Sequence, residues 1–331
     1  MNYIGSKFKL SSWIKDEITK VVGRNLKDKI LCDIFAGTGI IARTFKKDVK
    51  KVICNDLEYY SYVLNRNYIQ NHQSKDMAFD LIDELNNLES KKGFIYQNYC
   101  LGSGSGRWYF SDENGAKIDA IRSKLELLKK SNKISDNVYY FLLASLLESA
   151  DKVANTASVY GAFLKNIKKS AQQKLVLKPA NFETNSNEHL VFQSNANELI
   201  TQISGDILYL DPPYNARQYG ANYHLLNTIA IYDEFVPRGK TGLREYEKSK
   251  YCSKQFVKTE FENLIKNAKF KYIFLSYNDE GLMKSDEIKE IMSLYGKYSL
   301  KQKEYQRYKA DNSRINKADK TIEYLHILVK N

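Results

Sequence analysis

The chain has 331 residues, enough for one large α/β domain or two smaller domains with a sizeable hydrophobic core. Lysine and arginine outnumber aspartate and glutamate by 51 to 39, and the formal net charge of +12 favours a polyanionic partner. The sequence shows no hydrophobic signal segment, no apolar stretch that could span a bilayer and no metal or disulfide spacing among its four cysteines, so we expect a soluble cytoplasmic protein rather than a membrane or secreted one.

The first part of the chain predicts a strand-turn-helix unit that binds a nucleotide. An amphipathic helix over about residues 9–22 precedes a strand over residues 29–35, and Ala36-Gly37-Thr38-Gly39 leads into the next helix. Glycines in such a turn let the backbone approach a ligand closely, but the pattern fits NAD and S-adenosylmethionine equally. A second strand, residues 51–55, ends at Asp56, whose carboxylate is placed to accept hydrogen bonds from ribose hydroxyls.

The alternation of strands and helices then stops, which indicates an inserted, mainly helical subdomain at residues 59–187. Residues 1–58 and 188–331 are predicted to form the catalytic domain around it. Within the insertion, residues 152–178 contain six lysines and no acid. Phosphate binding would explain this segment, and a solvated lysine-rich helix face is the alternative.

Two further core strands are predicted at residues 190–193 and 207–210. Asn195, just beyond the first of them, could contact an adenine edge or cap the following helix. The second runs directly into Asp211-Pro212-Pro213-Tyr214. In a sheet covered on both faces, ligands bind beyond the carboxyl ends of the strands, so this tetrapeptide lies where chemistry is usually done.

The tetrapeptide offers two acceptors and an aromatic ring. Each proline fixes its own φ and lacks an N–H, so the Pro212 carbonyl is held in a set direction. The Asp211 carboxylate and this carbonyl could accept the two N–H bonds of a flat exocyclic amine, and Tyr214 supplies a face on which a base could stack. The alternative is a turn that simply ends a strand.

The last part of the chain completes the predicted sheet and adds a second basic segment. A polar, aromatic loop over residues 215–224 precedes a helix over 225–232, and a capping or core role is more consistent with His224 than catalysis. Residues 238–254 carry six basic and two acidic side chains. A fifth strand is predicted at 271–278. A hairpin is predicted from residues 298–308 and 321–330.

In their order along the chain, four motifs resemble those of the amino-methyltransferases that methylate adenine N6 in DNA, in particular the alpha group that includes Dam-like and FokI-type modification enzymes. The motifs are Tyr3-Ile4-Gly5-Ser6-Lys7, Asp33-Ile34-Phe35-Ala36-Gly37-Thr38-Gly39, Asp56 and Asp211-Pro212-Pro213-Tyr214. Three segments look most like the FokI-type branch of restriction-modification systems, namely residues 147–152, 160–163 and 214–219. The resemblance implies a Rossmann-like α/β sheet with helices on both faces and an inserted helical target-recognition subdomain.

The resemblance also implies the functional residues. The implied catalytic residues are Asp211, Pro212, Pro213 and Tyr214. The implied S-adenosylmethionine site comprises Tyr3, Lys7, Asp33, Phe35, Ala36, Gly37, Thr38, Gly39, Asp56, Asn195 and Asp211, with Asp56 on the ribose and Lys7 near the methionine end. Candidate DNA contacts are Lys165, Lys168, Lys169, Arg217, Tyr219, Arg244, Lys248 and Arg307. No metal is required.

We expect duplex DNA as substrate, a cognate endonuclease on a separate chain, and a monomer or weak dimer. Three other functions fit parts of the pattern. A ribosomal RNA adenine methyltransferase can use the same tetrapeptide, an NAD-dependent oxidoreductase can use the same glycine turn, and a DNA-binding module with a degenerate pocket would share the charge.

Overall fold

The structure is a computed structural model that describes residues 6–71, 77–306 and 320–331. Its described residues divide into two compact units. The sheet unit comprises residues 6–65, 185–218, 247–306 and 320–331, and the helical unit comprises residues 66–71, 77–184 and 219–246. The fold is therefore α/β with a largely helical second unit, as the sequence predicted.

The sheet unit is built on a seven-stranded sheet of order β3-β2-β1-β4-β5-β7-β6. The first five strands in this order are parallel, and β7 runs antiparallel between β5 and β6. A dinucleotide-binding Rossmann sheet has the order 3-2-1-4-5-6 without a reversed strand, so the topology disfavours the oxidoreductase alternative. The strands are β1 Ile30–Asp33, β2 Lys51–Asp56, β3 Leu190–Gln193, β4 Ser204–Leu210, β5 Lys269–Asn278, β6 Gly296–Gln306 and β7 Lys320–Lys330.

Helices cover both faces of this sheet. Consecutive residues are buried at the ends of β4 and β5, and because side chains alternate between faces, both faces must be packed. The helices are α1 Ser11–Val22, α2 Ile40–Phe45, α3 Tyr59–Asn65, α4 Met77–Asn86, α5 Phe94–Tyr99, α6 Asp112–Lys130, α7 Asp136–Val153, α8 Ala196–Leu199, α9 Tyr219–Asn222, α10 His224–Ile231, α11 Val257–Asn267 and α12 Ser285–Ser293. No helix in the described ranges is long and apolar enough to cross a membrane.

The helical unit is organised around α6 and α7. Ser111 and Ser135 cap their amino-terminal ends by accepting backbone N–H groups of Asn114 and Val138. The buried guanidinium of Arg122 on α6 donates to backbone carbonyls at the end of α10, which fixes that helix within the unit.

The division into units departs from the predicted domain boundaries in two places. Helix α3 packs in the sheet unit, because Ser61 and Asn65 donate hydrogen bonds to the Gly37 carbonyl. Residues 219–246, predicted to belong to the catalytic domain, pack in the helical unit, where the Tyr232 hydroxyl donates to Asp119.

Candidate active site

The turn after β1 has a backbone conformation that requires glycine. Gly37 and Gly39 have φ values of +52° and +71°, in the left-handed region. A Cβ on Gly39 would lie 2.1 Å from Oδ1 of Asn65, so the turn also approaches α3 too closely for any side chain. Both observations agree with the predicted nucleotide-binding turn.

Side chains of the sheet unit hold this turn in place. Ser61 Oγ and Asn65 Nδ2 donate to the Gly37 carbonyl at 2.5 and 3.1 Å. The Gly37 N–H donates to Oδ2 of Asp56 at 2.8 Å, and the Glu58 N–H donates to Oδ1 at 2.9 Å. Burial raises the pKa of Asp56, and these N–H donors oppose the rise. Hydrogen bonds from the Ser61 hydroxyl and the Leu57 N–H also lower the pKa of this carboxyl, and the ribose-binding role of Asp56 stays a prediction.

Asp33 ends β1 and is buried with an unsatisfied oxygen. The residue is 2 % exposed, and its Oδ1 has no hydrogen-bond partner among the described residues. Burial raises the pKa of Asp33 well above its usual range, and the nearby charge of Asp211 raises it further. Because buried polar atoms are almost always hydrogen-bonded, this oxygen indicates a place for a ligand donor.

Asp33 ends β1, and Asp211 directly follows β4, the neighbouring parallel strand. Asp33 pairs in register with Tyr209, so Asp211 lies two residues beyond it along β4. The following turn is fixed by the Leu282 N–H, which donates to the Tyr214 carbonyl at 2.9 Å. The glycine turn and the tetrapeptide therefore share the carboxyl edge of the sheet, as the sequence predicted.

The ammonium of Lys7 contacts two carboxylates in this site. Its Nζ lies 3.1 Å from Oδ1 of Asp211 and 3.0 Å from Oε1 of Glu323. The Lys7 and Glu323 side chains are only 7 % and 1 % exposed, and Ser276 donates its hydroxyl to Glu323 Oε1. Lys7, predicted to lie near the cofactor's methionine end, contacts the predicted catalytic acid itself.

This environment sets the ionisation of Asp211. Burial raises the pKa of Asp211 to about 6, while Lys7 lowers it and Glu323 raises it. The carboxyl is therefore ionised near neutral pH. Lys7 contacts Oδ1, and Oδ2 has no hydrogen-bond partner among the described residues, so Oδ2 can accept a hydrogen bond from an incoming group.

Aromatic and amide side chains lie beside the glycine turn. The rings of Phe35 and Tyr251 meet edge to face with centroids 5.0 Å apart, and Tyr251 donates its hydroxyl to Asn197 Oδ1 at 2.8 Å. Asn195 accepts the Asn197 N–H at 2.9 Å and caps α8, which is the second of its two predicted roles.

The predicted DNA contacts divide into exposed and internally bonded side chains. Arg244 forms a two-point ion pair with Asp233 at 3.0 and 3.1 Å, and Lys168 Nζ donates to the Thr156 carbonyl at 2.8 Å. Tyr219 stacks on Tyr223 with ring centroids 6.0 Å apart. The exposed candidates are Lys165, Lys169, Arg217 and Lys248. Tyr3 and Arg307 lie outside the described residues.

His224 and Glu323 show what the sequence revealed and what it did not. His224 is fully buried, its Nε2 lies 2.9 Å from the Tyr160 carbonyl, and burial lowers its pKa to about 4, so a core role fits it. We did not identify Glu323 from the sequence. The available signal was an acid inside the apolar run from Ile322 to Val329.

Comparisons with known proteins agree with this geometry. Residues 3–291 match the family model described as D12 class N6 adenine-specific DNA methyltransferase. The chain is 64% identical over 332 residues to Type II methyltransferase M.NlaIII of Neisseria lactamica, covering 100% of this chain and 99% of that protein. It is 38% identical over 347 residues to Type II methyltransferase M.FokI of Planomicrobium okeanokoites, covering 100% of this chain and 53% of that protein. It is 37% identical over 332 residues to Type II methyltransferase M.CviAII of Paramecium bursaria Chlorella virus 1, covering 99% and 98% of the two chains. The chain belongs to the D12 class of N6 adenine-specific DNA methyltransferases.

Proposed function

We propose that the enzyme methylates an adenine that has been flipped out of duplex DNA, and that Asp211, Pro212 and Tyr214 hold the base during transfer. The single observation that carries this proposal is the placement of Asp211. It lies at the carboxyl edge of the sheet beside the glycine turn, with Lys7 on one carboxylate oxygen and the other oxygen left for substrate.

The adenine amine is a poor nucleophile because its lone pair is delocalised into the ring. Hydrogen bonds from its two N–H groups to Asp211 Oδ2 and the Pro212 carbonyl localise that pair on nitrogen and aim it. With a pKa near 6, Asp211 is an acceptor at neutral pH rather than a donor. Stacking on Tyr214 offsets part of the cost of about a few kcal/mol for extruding the base.

The sheet unit has suitable residues for S-adenosylmethionine, which supplies an electrophilic methyl group on a sulfonium when bound. The buried, unpaired Oδ1 of Asp33 would accept a cofactor donor, and Asp56 would accept the ribose hydroxyls. Gly37 and Gly39 would allow close backbone approach, with Phe35 beside the cofactor. Lys7 we assign to Asp211 rather than to the cofactor.

Motif order and relatives support a narrower classification. The glycine motif precedes the catalytic tetrapeptide, as in the alpha group, and the 38% identity to M.FokI supports the FokI-type branch. The named relatives are Type II methyltransferases. We therefore propose a modification enzyme of a restriction-modification system, with the endonuclease on a separate chain.

The substrate class is tested by incubating the enzyme with methyl-labelled S-adenosylmethionine and either duplex DNA or ribosomal RNA. We expect label only in DNA, recovered as N6-methyladenine after nuclease digestion. Label found only in RNA would show that the substrate is RNA and not DNA. Sequencing of modified bases in DNA from cells that express the chain would then give the target site.

We assign target recognition to the helical unit, because it carries exposed lysines within a segment that has no acid. Lys165 and Lys169 are exposed and lie between residues 152 and 178. Each phosphate contact contributes about 0.9 to the slope of log affinity against log salt concentration. These two side chains are therefore candidates for the salt-dependent part of DNA binding.

Replacing Lys165 and Lys169 together by glutamine is expected to reduce the salt slope of DNA binding by about 1 to 2. Fluorescence anisotropy with a labelled duplex, measured between 50 and 300 mM salt, gives the slope. A double variant at Lys130 and Lys133, two exposed lysines at the end of α6 and in the turn after it, is the matched loss of charge and should keep the wild-type slope. An unchanged slope in the variant of Lys165 and Lys169 would place the DNA surface elsewhere.

A further inference from the structure

Glu323 lies in the active site without an assigned role. It comes from β7, at a position fully buried in the sheet, and its Oε1 accepts from Ser276 and contacts Lys7 at 3.0 Å. β7 runs antiparallel to β5, and Glu323 pairs in register with Asn278. The carboxylate thus reaches the site from a strand that carries none of the predicted motifs.

The cluster formed by Lys7, Asp211 and Glu323 carries a net negative charge when both carboxyls are ionised. Lys7 contributes one positive charge, and Asp211 and Glu323 contribute one negative charge each when ionised. A pair of Lys7 and Asp211 alone would be neutral. Glu323 changes this balance, because it provides a second carboxylate for the same ammonium.

The charge balance matters for the reaction proposed above. In methyl transfer the adenine nitrogen would gain positive charge as its lone pair bonds the methyl carbon, while the bond from that carbon to the sulfonium sulfur would break with its electron pair going to sulfur. The nitrogen would then release one proton to solvent. A nearby carboxylate stabilises that charge if its own charge is not already cancelled. Lys7 is useful for orientation, since it occupies Oδ1 and aims Oδ2 at the substrate, but it also weakens the field of Asp211.

We propose that Glu323 is a positioning residue that holds Lys7 and balances its charge. Asp211 is then oriented by the lysine and still acts as a full negative charge towards the adenine amine. This inference rests on the proposed function. Ser276 is the second member of the arrangement, because its hydroxyl fixes Glu323 Oε1.

The surroundings support this role. Glu323 raises the pKa of Asp211 and Lys7 lowers it, so the two act on the same carboxyl with opposite sign. The charge of Asp211 also raises the pKa of three neighbouring side chains, Asp33, Tyr209 and Tyr214. Buried ion pairs give little net stability, so charge balance at the site is a better account of Glu323 than folding.

The test is Glu323→Gln, which keeps the shape of the side chain and removes its charge. We expect kcat for methyl transfer to fall by about 10- to 100-fold, with the affinities for S-adenosylmethionine and DNA within about threefold of wild type. The acid limb of kcat/KM should move to lower pH, because a negative neighbour of Asp211 is lost. Glu323→Asp should recover most of the lost rate.

Two comparisons separate this role from a structural one. Glu304→Gln makes the same chemical change at an exposed position on β6 and should keep the wild-type rate. In a Lys7→Met background, adding Glu323→Gln should slow transfer by less than about threefold, since the charge to be balanced is gone. Thermal unfolding of each variant shows whether it is folded.

The inference is overturned if Glu323→Gln behaves like Glu304→Gln, if its effect is the same with and without Lys7, or if its loss lies in cofactor affinity. These outcomes leave the proposed function intact, provided that the wild-type enzyme labels DNA adenine. Failure of the wild-type enzyme to do so would overturn the proposed function instead.

Discussion

Replacing Asp211 with asparagine is expected to slow methyl transfer by about 10³-fold or more while the enzyme still binds its cofactor. The reason is the position of Lys7, whose ammonium contacts Oδ1 at 3.1 Å. An asparagine at this position would turn its amide oxygen towards the lysine and its NH₂ group towards the substrate. A donor would then face the N–H bonds of the adenine amine, where an acceptor is required.

Single-turnover transfer of labelled methyl groups measures the chemical step, and titration calorimetry measures cofactor binding. Asp206→Asn is a matched control, since Asp206 lies at the other end of β4 and pairs with Lys29 at 3.1 Å. This control should keep the wild-type rate. An Asp211→Asn enzyme within about tenfold of wild type would remove Asp211 from the mechanism.

Arg122→Met is expected to lower the free energy of unfolding of the helical unit by about 3 kcal/mol or more. Arg122 is 1 % exposed, and its guanidinium donates to the carbonyls of Ile229 and Ala230 at 2.8 Å each. It also donates to Glu126 at 2.6 Å and to the Tyr139 hydroxyl at 3.1 Å. Methionine fills a similar volume but leaves these acceptors without their donor.

Urea unfolding followed by circular dichroism gives the free energy for wild type and variant. Lys124→Met on the same helix is the matched control, because Lys124 is a surface lysine paired with Glu84 at 2.7 Å. Its effect should stay below about 1 kcal/mol. Equal losses in the two variants would mean that the buried hydrogen bonds of Arg122 add nothing beyond an ordinary surface charge.

Much of the sheet unit could be predicted from the sequence because its determinants are local. Buried parallel strands are continuous apolar runs, and glycines are required where φ is positive, as at Gly37 and Gly39. Strand ends therefore located Asp56 and Asp211, and the terminal hairpin was also confirmed as β6 and β7. The order of these same motifs predicted an adenine N6 DNA methyltransferase, which the family match over residues 3–291 confirms.

The residues that the sequence did not reveal act through distant partners. Glu323 follows Lys7 by more than 300 residues, and periodicity does not show which buried acid meets which lysine. The apolar pattern of α10 is the same whether it packs on the sheet or on α6. The hydrogen bonds that Arg122 donates to α10 show that this helix belongs to the helical unit. The sequence likewise does not show that Arg244 is paired with Asp233.

Among the residues that the structure describes, the helical unit is built from two stretches of chain, which lie within 66–184 and 219–246, with residues 185–218 in the sheet unit between them. If this unit reads the target, new specificity cannot be obtained by exchanging one continuous segment with a relative. A chimera that receives only residues 66–184 from a relative would pack a foreign α6 against the native α10. The hydrogen bonds from Arg122 to α10 would then depend on two sequences that do not match. Recombination that changes specificity must exchange both stretches together, while the intervening residues, with the catalytic tetrapeptide, stay in place.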